Sequence, residues 1–269
     1  MNPGIHLVVH YCTDSLPARQ AEYDYCLLRN LNNPHIQKVH NLADPQTPPP
    51  AQIRNHPKYT QFPLPGQWVS YKDLLQYINR ELADEVVCIA NLDIFLDDSK
   101  ADWAAAADWV KAGVVLCLSR MEFKMDGTVY LDPVMLRWGS SSSQDAWIFH
   151  TPLEIPDCDF ELGTLGCDNA IAERIRRTGR MPVNAAGRFP IYHFDQARGK
   201  TMDTQKAFHA QERGGQGSKF PEESGQYLVP DIDRVASVDH LLESFKATEL
   251  QRYTVVCQVL NQFLSLRNR

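Results

Sequence analysis

Apolar residues in this chain fall into two kinds of run, and the two kinds alternate. VVCIA at 86–90 and VVLCLSR at 114–120 carry unbroken apolar blocks, the pattern of parallel strands covered on both faces. IHLVVHY (5–11) and IQKVH (36–40) read as two earlier strands. Between the strands lie segments of helical period. ARQAEYDYCLLRNL has Ala21, Tyr25 and Leu28 at helical spacing, and SYKDLLQYINRELA has Leu74, Ile78 and Leu82 on one face. The latter opens with Ser70 and Asp73 at capping-box spacing. KADWAAAADWVKAG predicts a further helix in an alanine-rich frame. Strands alternating with helices predict an α/β fold with a mostly parallel central sheet flanked by helices.

The remaining segments are less regular. Residues 41–69 hold seven prolines and read as loop, too proline-rich for a regular element. QDAWIFHTP (144–152) and FPIYHF (189–194) read as short strands. DNAIAERIRRTG (168–179) reads as a helix with Ile171 and Ile175 inward, arginines outward and Gly179 as its stop. Residues 195–230, rich in Gly, Gln, Lys and Pro, are expected to form a long mobile loop. The stretch from 236 to 268 reads as helical, with the strongly apolar VVCQVLNQFLSL. The expected division is a catalytic domain over 1–200, followed by a loop and C-terminal helical extension over 201–269 that packs on it or on a partner.

Composition narrows the function classes. The chain has 269 residues, 43% hydrophobic and 22% charged, enough for a sizeable core and unlike a disordered chain. Its formal charge of −6 disfavours general nucleic-acid binding, and the basic RIRRTGR at 174–180 is too short to reverse that. MNPGIHLVVHYC lacks the basic start of a signal peptide, and no apolar run approaches the roughly 20 residues of a transmembrane helix. The seven cysteines form no CxxC pair, and several lie inside apolar runs, so a cysteine zinc site is not expected. Cytoplasmic location follows as an expectation. The apolar C-terminal helix suits a homodimer or a peripheral association with the inner membrane face.

One stretch, VVCIANLDIFLDD at 86–98, drives a core strand into a cluster of carboxylates. Asp97 and Asp98, with Ser99, precede a helix and are expected to cap it. Asp93 comes too early for that role. A carboxylate at the carboxyl end of a parallel strand lies where α/β sheets bind ligands, and a divalent cation is a natural partner for it.

Here the chain resembles a family. IANLDIFLDD is similar to the region around the DXD motif of GT-A-fold glycosyltransferases, family 2-like, in the variant where Asn91 replaces the first aspartate. LGTLGCDNAIAERIRRTGRMPVN resembles their xED segment, with Cys167 and Asp168 in the place of the acidic pair. IYHF at 191–194 resembles the C-terminal strand whose histidine completes the metal site, here His193. Motifs like NxDI, LSR, SQDAWIF and GCDN recur in this order in a bacterial group of glycosyltransferase-like proteins. The resemblance covers roughly residues 5–200, and Asn91 and Cys167 are its departures from acidic positions.

It implies a GT-A-type nucleotide-diphospho-sugar transferase fold. The implied function is metal-assisted sugar transfer from a UDP- or GDP-sugar to a glycan or other hydroxyl acceptor, as in polysaccharide synthesis. Asp93 and His193 would hold Mn²⁺ or Mg²⁺, and Asp168 would act as base. Asn91, Arg120, Gln144, Asp145, Trp147 and Asn169 would contact donor or acceptor. Each assignment has a structural counterpart: Asp168 as a helix cap, His193 as a core residue, Arg120 as a surface cation, Trp138 and Trp147 as packing. A degenerate module of the same fold that binds a glycan or partner protein is the alternative function. A nucleotidyltransferase finds less support, because HYCTDSLPARQ is no Gly-rich phosphate loop. GxSxG and HExxH motifs are absent.

Overall fold

The structure is a computed structural model that describes residues 4–64, 66, 68–131, 143–164, 166–197 and 228–232. A seven-stranded sheet forms its centre, in the order β10-β6-β9-β4-β1-β2-β3. The strands are β1 (Ile5–Val9), β2 (Ile36–Ala43), β3 (Tyr59–Pro63), β4 (Val86–Ala90), β6 (Val114–Leu118), β9 (Ala146–His150) and β10 (Met181–Val183). β9 lies antiparallel between β4 and β6, and every other pairing is parallel. β1, β4 and β6 are buried along their whole length, as their unbroken apolar runs require of strands covered on both faces. The fold is therefore α/β, with a mostly parallel central sheet flanked by helices.

The helices are α1 (Pro17–Asn32), α2 (Ala51–Arg54), α3 (Tyr71–Glu81), α4 (Trp103–Lys111) and α5 (Cys167–Arg177). Two apolar clusters hold them to the sheet. One joins Leu27 and Leu31 of α1 and Trp103, Trp109 and Val110 of α4 to one set of strand residues. The other joins Leu74, Leu75 and Ile78 of α3 and Ile171 and Ile175 of α5 to the alternate set, as a period of two requires. The capping box at α3 forms: Ser70 accepts from the Asp73 amide, and the Asp73 side chain accepts from Ser70 N. Gly179, at φ 88°, follows the last turn of α5 in the left-handed conformation that glycine adopts freely.

Three expectations are corrected. The proline-rich stretch holds two regular elements, α2 and β3. Among the described residues β3 sits at the sheet's edge and pairs only with β2, so it needs one ladder of hydrogen bonds, and Pro63 ends it. The inward face of α1 is Arg19, Glu22, Tyr23, Cys26, Leu27, Asn30 and Leu31, while Ala21 is exposed and Tyr25 and Leu28 are only half-buried. Polar side chains on that inward face rotate it away from the purely apolar reading. Arg174 of α5 likewise turns in, donating to Asp157 O and Ala170 O over the Phe160 ring.

A four-stranded second sheet, ordered β5-β11-β7-β8, covers the carboxyl edge of the first. Its strands are β5 (Ile94–Leu96), β7 (Met121–Phe123), β8 (Val129–Tyr130) and β11 (Ile191–His193). α1 fixes β5 through asparagines: Asn30 donates to Ile94 O and accepts from Leu96 N, and Asn33 donates to Leu96 O. Tyr25, Phe95, Phe123 and Phe194 pack edge-to-face and stacked between this sheet and α1. Residues 228–232 return to the outer edge of β10, where Asn184 N donates to Pro230 O and Ile232 N to Asn184 O. Most of the expected loop over 195–230, and the expected C-terminal helix, lie outside the described residues.

Candidate active site

The insertion of β9 builds the site. An antiparallel strand between β4 and β6 brings its own first residues to the carboxyl ends of both neighbours. Ala146 pairs with Ala90 and with Leu118, so Gln144 and Asp145 stand beside Asn91 and Ser119. The backbone closes the junction: Asn91 N donates to Asp145 O at 3.1 Å, and Asp145 N to Leu118 O at 2.9 Å. Asn91 Nδ2 then donates to Asp145 Oδ1 at 2.9 Å. Arg120 Nη1 bonds both Asp145 oxygens, at 2.9 and 3.0 Å, and its Nε reaches Glu122 Oε1 at 3.2 Å. Burial works against the charge on Arg120, but Asp145 and Glu122 outweigh it and hold its pKa above the usual arginine value.

The second sheet supplies the other half. β11 lies between β5 and β7, and its register sets His193 opposite both Ile94 and Glu122. Asp93 immediately precedes Ile94, so Asp93, His193 and Glu122 become neighbours across three strands. His193 Nδ1 is 3.1 Å from each Glu122 oxygen, and Nε2 is 3.1 Å from Asp93 Oδ2. Burial and nearby Arg120 act to lower the His193 pKa, but Asp93 and Glu122 prevail and raise it. The imidazolium form donates to both carboxylates. Arg19, fully buried on α1, donates to the same Asp93 oxygen, to Glu22 and to Phe194 O.

Asn91, Asp145, Arg120, Glu122, His193, Asp93 and Arg19 thus form one continuous hydrogen-bonded chain. Asp168 adjoins it from the first turn of α5, accepting from Gln144 N at 3.2 Å and Asn169 N at 2.9 Å. Burial raises its pKa, helped by Asp145 and opposed by those amide bonds. Asp168 is not the cap of α5. Gly166 holds that position at φ 80°, a conformation that favours glycine, and makes no side-chain bond.

The sequence-derived residues thus divide. Asn91, Asp93, Arg120, Asp145, Asp168 and His193 are brought together, and Gln144 joins through its backbone. Asn169 is mostly buried and meets the group through its amide. Trp147 is not brought there: it is 2% exposed, packed edge-on against Tyr71 inside the α3–α5 cluster, and has no face open to a sugar. Trp138 lies outside the described residues. Cys167 is a core thiol 3.7 Å from the Tyr71 hydroxyl.

Asp97 and Asp98 do not cap α4. Asp102 does, accepting from Ala105 N. Asp97 is instead a buried anchor for the turn before it, accepting from the amides of Ser99, Lys100 and Ala101 and from the Tyr192 hydroxyl. Asp98 is an exposed partner of Arg29.

Arg19, Glu22 and Glu122 were not anticipated. Glu122 had a signal, since it follows Arg120 by two and so shares its side of an extended segment. Arg19 had a fainter one: a cation in a helix's first turn opposes the macrodipole unless carboxylates await it.

For a divalent metal, Asp93 and His193 provide a carboxylate oxygen and an imidazole nitrogen in mutual contact, with Glu122 holding the far ring nitrogen in the manner of a metal-ligand histidine. Among the described residues no group of three or more His, Cys, Asp and Glu side chains is arranged to hold a metal ion. The Asp93 carboxylate suits Mg²⁺ or Mn²⁺, which take oxygen ligands and complete their shells with water and phosphate oxygens, whereas the imidazole is not a usual Mg²⁺ ligand.

No protein-family model matches the chain, and no curated protein matches it. Among solved structures, S. aureus TarS 1–349 in complex with UDP-GlcNAc is similar at 12% identity and a TM-score of 0.45, over 97% of this chain and 73% of that one. A second S. aureus TarS structure is similar at 13% identity and a TM-score of 0.45, over 72% of this chain and 37% of that one. A 4-diphosphocytidyl-2C-methyl-D-erythritol synthase is similar at 11% identity and a TM-score of 0.38, over 78% of this chain and 98% of that one.

Proposed function

We propose that this chain is a glycosyltransferase that moves a sugar from a UDP- or GDP-sugar to an acceptor hydroxyl with the help of Mn²⁺ or Mg²⁺. One observation carries the reading: a cluster of carboxylates richer in acids than in cations at the sheet's switch point. β1 has β2 on one side and β4 on the other, and α/β sheets bind ligands in the crevice at the carboxyl ends of such a pair. Asp93, Glu122, Asp145 and Asp168 converge there against Arg19 and Arg120, both already ion-paired. An anionic diphosphate meets repulsion in that setting unless a divalent cation accompanies it. Asp93 and His193 would be the protein's ligands, the ion taking the place of the Nε2 proton. When bound, such an ion supplies charge stabilisation to the departing diphosphate.

The chain's own residues do the rest. Asn91 Nδ2 is committed to Asp145, so a donor hydroxyl would meet its amide oxygen. Arg120, 21% exposed, holds the Asp145 carboxylate in place by bonding both of its oxygens. Asp168, with its pKa raised, is a better proton acceptor than an ordinary aspartate and takes the proton of the attacking hydroxyl.

A second reading, a module that binds a glycan or a partner without catalysis, draws on two facts. Asp93 is already ion-paired with Arg19, and Cys167 is a core thiol where the resemblance implies an acid. Assaying a panel of UDP- and GDP-sugars with Mn²⁺ and mixed glycan acceptors separates the two. Metal-dependent release of nucleoside diphosphate, lost in Asp93→Asn, supports transfer. No release with any donor, alongside glycan binding, supports the module.

A further inference from the structure

We infer that Arg19 is a positioning residue for Asp93, an inference that rests on the proposed transferase reading. Its guanidinium is fully buried at the first turn of α1. Nη1 donates to Glu22 Oε2 at 2.9 Å and to Phe194 O at 2.7 Å, and lies 3.4 Å from Asp195 Oδ1. Nη2 donates to Asp93 Oδ2. The flat face lies 4.4 Å from the centroid of the Tyr23 ring. Glu22 extends the clamp, its second oxygen accepting from Gln196 N at 2.7 Å and Ala197 N at 2.9 Å. Phe194 N in turn donates to Asp93 O at 3.0 Å. One side chain therefore ties the Asp93 carboxylate to the segment that directly follows His193, the two residues that would share the metal.

Stability alone does not account for this arrangement. A buried charge cluster is commonly no more stable than apolar side chains of like volume. The position opposes the helix dipole, and Arg19 Nε is buried with no acceptor among the described residues. What the fork does provide is geometry. Donors to Glu22, Phe194 O and Asp93 leave a planar group at fixed angles, and the Asp93 carboxylate is held with one oxygen between Arg19 and His193. Lysine, a point charge on a flexible stem, supplies charge without that geometry.

The test compares Arg19→Lys and Arg19→Met in the full chain by thermal melting, transfer kinetics and crystal structure. Arg19→Lys is expected to melt within a few degrees of wild type, yet to lose at least ten-fold in kcat with donor KM changed less than three-fold. Its crystal structure is expected to show the Asp93 carboxylate turned away from His193 in an otherwise unchanged sheet. Arg19→Met is expected to lose kcat further. Wild-type kcat in Arg19→Lys, or a loss matching only the fraction unfolded, would make Arg19 structural and overturn the inference. If the wild type transfers no sugar, the functional reading fails by itself. The crystal structure then still decides: a displaced Asp93 upholds positioning, and an unmoved Asp93 refutes it.

Discussion

Glu122 and His193 are cross-strand neighbours on β7 and β11, and both Glu122 oxygens lie 3.1 Å from His193 Nδ1. That contact fixes the ring and directs Nε2 at Asp93. Partners of this kind are worth about 10–100-fold in metal affinity or activity where a histidine is a ligand. Glu122→Gln is therefore expected to weaken Mn²⁺ binding and transfer by about that factor, while circular dichroism stays native. Calorimetric titration of Mn²⁺ checks it; an unchanged affinity would remove His193 from the metal site.

Asp168→Asn is expected to lower transfer by about 10²–10⁴-fold while donor affinity stays within a few-fold. Its raised pKa adds a pH signature. The base form is lost as pH falls through that elevated value, so the acid limb of kcat/KM lies above the ordinary aspartate range. The variant should show no such limb. Equal loss of donor binding and rate would make Asp168 structural.

A separate pair of histidines, His6 on β1 and His40 on β2, contributes to the acid stability. His6 Nδ1 and His40 Nε2 are 2.9 Å apart, and His40 Nδ1 is 2.8 Å from the Tyr77 hydroxyl. Burial, then His6 and Lys38, depress the His40 pKa from 6.5 to about 4. The folded state thus binds fewer protons than the unfolded state between those values. Stability is full above pH 6.5 and is lost as pH falls towards 4, by about 3 kcal/mol at the limit. Urea denaturation of wild type and His40→Gln at pH 7 and pH 4.5 checks this. The variant should lose less, and parallel losses would contradict the assignment.

Asp97→Ala is expected to cost about 3 kcal/mol, because three amides and the Tyr192 hydroxyl lose a charged acceptor in a buried turn. Burial acts to raise the Asp97 pKa, but the bonds from Lys100, Ala101, Tyr192 and Ser99 pull it below the ordinary value. This stabilisation is present above the unfolded pKa and fades as pH falls through the folded one. Denaturant midpoints at neutral pH measure it, and a change under about 1 kcal/mol would contradict the anchoring role.

The core strands were legible because a strand covered on both faces must be apolar throughout, as VVCIA and VVLCL are. β3 was hidden because an edge strand tolerates proline, so the usual breaker signal misleads there. Asn91 and Asp93 stood out by following a strand directly. Glu122 and Arg19 did not, since their roles depend on β11 lying between β5 and β7 and on α1 turning polar residues inward. Cross-strand adjacency of this kind is a property of topology, which no single segment's pattern encodes. Trp147 shows the converse: its motif suggested contact with a sugar, and its place on a strand covered on both faces buries it.

The central claim is a cation-dependent diphosphate site built on Asp93 and His193. Isothermal titration of UDP and GDP into the full chain, with and without Mn²⁺, tests it most directly. Saturable binding of at least one nucleotide that appears only with Mn²⁺, and disappears in Asp93→Ala, is the predicted result. Binding of neither nucleotide, or equal binding without the metal, would contradict it.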